Sequence, residues 1–219
     1  MYGMQYIQQT IVGIDGSEAR FFGYVADNSE EMEPDRIRPA ILILPGGGYA
    51  MTSDREAEPV ALQFLAKGFA VFVLRYSVQP SRYPVALLEA AEAMRLIRTN
   101  ADQWHVNPAQ VAVLGFSAGG HLAANLATSV GDEDIREQGG MDPNALMLSY
   151  PVITAGKYAH RGSFQCLLGD QAHNQALLDK FSIEKHIDAK TPPVFVWHTM
   201  TDDAVPVENT LMLIQACRA

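Results

Sequence analysis

The chain is poor in cysteine: only Cys166 and Cys217 occur in its 219 residues. They form no C-x-x-C arrangement, so neither a disulfide framework nor a zinc knuckle is indicated, and both are expected to be ordinary reduced thiols. Positive charge is scarce as well, with 16 Lys plus Arg against 25 Asp plus Glu and a net charge of -9. That sign opposes gripping phosphates, so nucleic acid is not an expected partner. Long apolar runs are missing too. The stretches at 40–44 and 70–74 fall far short of the roughly 20 residues a membrane helix needs, and no membrane span is expected. Met1 to Tyr6 carry no basic segment followed by an apolar one, which points to a cytoplasmic protein. What the chain does have is 48% hydrophobic and 19% charged residues. That mixture can bury a core, and with no repeat or linker to divide it, residues 1–219 are expected to form a single domain.

Periodicity sets the class. Gln5 to Val12 and Ala19 to Ala26 alternate on either side of Asp15-Gly16-Ser17 and suggest an antiparallel hairpin. Ala40-Ile41-Leu42-Ile43-Leu44 is a run suited to a strand buried on both faces, closed by Pro45-Gly46-Gly47-Gly48. Ser53-Asp54-Arg55-Glu56 fits a capping box before a helix that carries Val60, Phe64 and Leu65 and stops at Lys67-Gly68. Strand Phe69 to Tyr76, a helix opened by Tyr83-Pro84 with Leu87, Ala91, Met94 and Arg98 on one face, strand Gln110 to Leu114 and helix Gly119 to Ser129 follow. Further strands at Ala145 to Val152 and Val194 to His198, a helical stretch near Gln175 to His186 and a last helix at Val207 to Cys217 complete the pattern. Strands alternating with helices imply an α/β fold with a mainly parallel sheet and helices on both faces.

Three motifs carry chemistry. Gly115-Phe116-Ser117-Ala118-Gly119-Gly120 is G-x-S-x-G directly after a strand and before a helix, a turn that exposes a serine nucleophile at the carboxyl edge of the sheet. Pro45-Gly46-Gly47-Gly48-Tyr49 offers backbone N–H groups unobstructed by side chains, which suits a developing oxyanion; Gly47 and Gly48, with the N–H of Ala118, are assigned to that hole. No Lys-Ser/Thr follows this loop and its spacing is not G-x-G-x-x-G, which argues against nucleotide phosphates. Thr201-Asp202-Asp203-Ala204-Val205-Pro206 places an acid after a late strand, where it can orient an imidazole; solvated carboxylates capping the next helix are the alternative.

Together, Leu44 to Tyr49, Gly115 to Leu122 and Asp202 to Asn209 resemble the α/β-hydrolase superfamily, in particular its bacterial carboxylesterases and acetylxylan-esterase-like enzymes related to the hormone-sensitive-lipase group. The resemblance runs from about Ile41 to the end of the chain. It implies Ser117 as nucleophile, Asp202, first residue of Asp-x-x-Val-Pro, as triad acid, and neither cofactor nor metal. Where that family usually has a histidine before the glycines, this chain has Pro45.

Chain order in this fold is serine, acid, histidine. Ser117 and Asp202 lie 85 positions apart, yet the 17 residues after Asp202 contain no histidine. His105, His121, His160, His173, His186 and His198 all precede the acid. His121 is expected to pack beside the site and His198 to lie near it without acting as base, while the other four are expected to be solvated. The pattern therefore suggests a fold lacking its last strand and helix, with the base on a missing tail. The resemblance implies a serine esterase and favours a short acyl group such as acetyl on a sugar, with an amidase or peptidase on the same triad and a catalytically silent binding protein as alternatives. The glycine triplet resembles the esterase branch, which ranks the first function highest, and its expected partner is a small ester substrate.

Overall fold

A computed structural model of the protein describes residues 3–128 and 142–219. Seven strands form one sheet: β1 (Met4–Val12), β2 (Glu18–Ala26), β3 (Arg38–Leu44), β4 (Ala70–Arg75), β5 (Val106–Phe116), β6 (Ala145–Ser149) and β7 (Val194–Trp197), in the order β1-β2-β4-β3-β5-β6-β7. β1 and β2 pair antiparallel, β2 joins β4 antiparallel, and β3 to β7 run parallel. The hairpin turn is tight because Gly16 adopts φ +82° and Asp15 Oδ1 accepts the N–H and hydroxyl of Ser17.

The helices are α1 (Glu58–Leu65), α2 (Val85–Thr99), α3 (Ala118–Thr128), α4 (Arg161–Leu168), α5 (Gln175–Lys180) and α6 (Glu208–Arg218). The apolar run of β3 feeds both sides of the sheet. Leu42 and Leu44 join Phe72, Leu74, Val113 and Leu148 under α2 and α3, whereas Ile41 and Ile43 join Val71, Val73 and Phe116 under α1. Helices thus cover both faces, but unequally. At the β7 edge, Val194 and Val196 face the larger core, while Phe195 is 61% exposed and Trp197 44% exposed.

Several boundaries differ from expectation. The capping box at Ser53 does not form: Asp54–Glu56 is a short 3-10 turn, the Ser53 side chain makes no cap bond, and α1 starts at Glu58. The cause is competition, because the Ser53 N–H is taken by the Gly46 carbonyl and the Glu56 carboxylate by other partners described below. β6 ends at Ser149, since Tyr150 turns with φ +38° and Pro151 follows. α4 was not expected. Its signal was present in Phe164, Leu167 and Leu168, all buried at helical spacing behind a capping His160. The region 175–186 is α5 followed by a 3-10 turn at Ile183–Lys185. Ser129, the expected end of α3, lies outside the described residues.

Candidate active site

The three motifs meet at the carboxyl ends of β3, β5 and β7, the edge where open α/β sheets take their ligands. Ser117 sits between β5 and α3 with φ +50°. A non-glycine residue there costs about 1–3 kcal/mol of backbone strain, and the surroundings fix it. The Ser117 N–H donates to the Ser149 carbonyl at 3.0 Å, and its own carbonyl accepts from Val152 and His121. The flanking glycines are required by close approach. A Cβ on Gly119 would stand 2.1 Å from the Leu44 carbonyl oxygen, and one on Gly115 would stand 2.3 Å from that of Gly119. The elbow and the glycine loop are therefore packed backbone against backbone, with Ser117 half-buried among buried neighbours.

Gly47 adopts φ +132° and Gly48 φ +66°, conformations suited to residues without a Cβ. Among the described residues, no acceptor takes the N–H of Gly47, Gly48 or Ala118, the last being the first residue of α3. The loop is held from several sides. Tyr76 donates its hydroxyl to the Pro45 carbonyl at 2.7 Å, and the Glu56 carboxylate accepts the Gly46 N–H at 2.7 Å. Tyr49 donates its hydroxyl to His121 Nδ1 at 2.9 Å, while His121 Nε2–H donates to the Phe181 carbonyl at 3.0 Å. His121 is thus a fully buried neutral imidazole, its pKa lowered to about 4 by burial, with both nitrogens engaged.

Asp202 lies in the loop after β7. Its Oδ1 accepts the N–H groups of Ala204 and Val205, both at 2.9 Å, and its Oδ2 lies 3.5 Å from His198 Nε2. Neighbouring Asp203 is exposed, so only one of the adjacent carboxylates is built into the loop. His198 is committed elsewhere: Nε2–H donates to the Val205 carbonyl and Nδ1 accepts the Thr210 hydroxyl. Among the described residues, no imidazole stands within hydrogen-bond reach of Ser117 Oγ. His160, expected to be solvated, is instead half-buried. It caps α4 through Ser163, because the first-turn N–H of a helix needs an acceptor, and its ring lies beside Gly48.

Sequence reasoning missed two residues that hold the site, Glu56 and Tyr150, whose hydroxyl donates to Glu56 at 2.9 Å. Tyr49, Ser117 and Tyr150 are three of the four non-glycine residues with positive φ among the described residues, and all three lie in these loops. No group of three His, Cys, Asp or Glu side chains among the described residues could hold a metal ion, and no described helix is long and apolar enough to cross a membrane.

The BD-FAE family profile matches residues 29–216. Endo-1,4-beta-xylanase B of Butyrivibrio fibrisolvens is 35% identical over 208 residues, which cover 90% of this chain and 32% of that protein. An acetylxylan esterase of Xylanibacter ruminicola is 31% identical, covering 77% of this chain and 34% of that protein. The chain spans about one third of the length of these two curated relatives. Among solved structures, an acetyl ester-xyloside bifunctional hydrolase from Caldicellulosiruptor lactoaceticus superposes with a TM-score of 0.83 at 37% identity, covering 92% of this chain and 74% of that one. A serine elbow, a glycine loop and an acid on one sheet edge thus accompany a match over most of the sequence, and the chain belongs to the BD-FAE family with the fold of an α/β-hydrolase.

Proposed function

We propose that the protein hydrolyses carboxylic esters, specifically short acyl esters such as acetyl groups on sugars, through an acyl-enzyme on Ser117. Ser117 Oγ attacks the ester carbonyl carbon and its proton passes to a histidine. The carbonyl oxygen takes the electron pair and is held by the N–H groups of Gly47, Gly48 and Ala118. Collapse expels the sugar alkoxide, which receives the proton from the imidazolium. Water then attacks the acyl carbon with the same imidazole taking its proton, and the carboxylic acid leaves as Ser117 Oγ receives that proton back. Asp202 orients that imidazole: its Oδ1 is anchored by two backbone donors, which leaves Oδ2 for the ring.

Neither His121 nor His198 is assigned as that base, because both ring nitrogens of each are engaged with other groups. The acetyl preference is supported by the acetylxylan esterase and the acetyl ester-xyloside hydrolase among the similar proteins.

The observation that carries the proposal is Ser117 at φ +50° on an elbow packed against a glycine loop in which, among the described residues, the N–H groups of Gly47 and Gly48 have no acceptor. The test compares the parent with Ser117→Ala on p-nitrophenyl acetate, on acetylated xylan and on an aminoacyl anilide. Loss of both ester activities in the variant, with no anilide cleavage by the parent, is the expected result. Equal ester rates in parent and variant would remove Ser117 as nucleophile.

A further inference from the structure

The glycine loop is joined to the end of β6 by one side chain. Glu56 Oε2 accepts the Gly46 N–H at 2.7 Å and Oε1 accepts the Tyr150 hydroxyl at 2.9 Å. Gly46 lies against Ser117: a Cβ at Gly46 would stand 3.0 Å from the Ser117 Cβ, 2.9 Å from the Phe116 carbonyl oxygen and 2.7 Å from Glu56 Oε2 itself. The turn that carries Glu56 is in turn fixed from β4. Arg75, its side chain only 10% exposed, pairs with Asp54 on one side of Glu56 and Glu58 on the other, and donates to the Thr52 carbonyl. Tyr150 is equally constrained. Its N–H donates to the Trp197 carbonyl, its ring packs against Phe116 and Trp197, and burial together with the Glu56 carboxylate holds its hydroxyl protonated.

From this geometry we infer that Glu56, together with Tyr150, is a positioning residue: it fixes Gly46 so that the next two N–H groups, those of Gly47 and Gly48, stay aimed at the oxyanion beside Ser117. The inference rests on the esterase reading of the site. Chemistry favours a carboxylate in this place, because it can accept from two donors at once, whereas a carboxamide has one accepting oxygen and would face the second donor with its NH₂ group. Removing a single oxyanion donor costs about 10²–10³-fold in kcat, so a loosened loop should lose part of that.

The test uses E56A, E56Q, Y150F and the double variant E56A/Y150F in the intact enzyme. E56A is expected to lower kcat by about 30-fold with KM changed less than about threefold, and to weaken a trifluoromethyl ketone, which forms a tetrahedral oxyanion, by a similar factor. E56Q falls between parent and E56A, Y150F loses a fewfold, and the double variant is no worse than E56A because the two act through one link. A packing role alone would lower the urea midpoint and leave analogue affinity relative to KM unchanged; that result, or an E56A kcat within twofold of the parent, overturns the inference. Amide hydrogen exchange over residues 45–53 reads loop order without chemistry and should speed up in E56A. If Ser117→Ala matches the parent, the esterase reading fails, and unchanged exchange in E56A then separately refutes the positioning role.

Discussion

The two halves of the site are built to different degrees. Around Ser117, every backbone segment is held by a neighbour: the elbow by Ser149 and Val152, the glycine loop by Tyr76, Glu56 and the Tyr49–His121 pair. Around Asp202, the loop is held by the Ala204 and Val205 N–H groups, while the strand leading to it is paired on one side, with β6. The strand that delivers it forms the sheet edge, with Phe195, Trp197 and Met200 exposed, and α6 exposes Leu211 and Ile214 nearby. On the proposed reading, Ser117 and the Gly47, Gly48 and Ala118 donors are held in place within the chain, whereas His198, the described imidazole beside Asp202, is engaged by Val205 and Thr210.

This contrast can be broken from either side. The largest effect is expected from Ser117→Ala, a loss of at least about 10⁴-fold in kcat with loss of fluorophosphonate labelling. Asp202→Asn should follow at about 10³–10⁴-fold in kcat, because the imidazole loses the charge that orients it, while labelling of Ser117 is slowed rather than abolished. Comparable labelling rates in D202N and parent would mean that the acid loop is not coupled to the nucleophile.

Stability effects come next. Gly119→Ala should cost about 3 kcal/mol or more in urea denaturation, since a Cβ has no room beside the Leu44 and Pro45 carbonyls and neither backbone can yield. His121 makes the same region sensitive to acid. Its folded pKa, about 4, lies below the ordinary value of 6.5, so the unfolded chain binds the proton first. Its contribution is complete above pH 6.5 and is lost as pH falls toward 4, by up to about 3 kcal/mol. Urea midpoints at pH 7 and pH 4.5 should therefore differ less in His121→Gln than in the parent; an equal difference would exclude His121 as the source. The smallest effect is reserved for the open edge: Phe195→Lys should shift the stability of the 219-residue chain by less than about 0.5 kcal/mol, because the side chain touches mostly solvent. A larger loss would mean that this face is covered in solution.

Much of this is legible in the sequence. The strand β3 and its glycine stop, the G-x-S-x-G turn between β5 and α3, and the antiparallel hairpin all follow from local chemistry: apolar runs, glycine punctuation and alternation. Other features were not. The Ser53 capping box matched its local pattern and failed, because Glu56 found two donors, Gly46 and Tyr150, that are distant in sequence. His160 is expected to be solvated and is instead a half-buried helix cap, since α4 itself depends on Phe164 and Leu167 finding the larger core.

By itself the sequence determined the fold class, the nucleophile candidate and the donor loop, for each is encoded within a few consecutive residues whose steric and hydrogen-bonding properties act locally. It also fixed that no histidine follows Asp202 among these 219 residues. Only the tertiary structure decided that His121 is already engaged and which carboxylate ties the glycine loop to β6. Those outcomes turn on distances between segments tens of residues apart, and a side chain's partner is set by whichever donor or acceptor the folded sheet brings within about 3 Å.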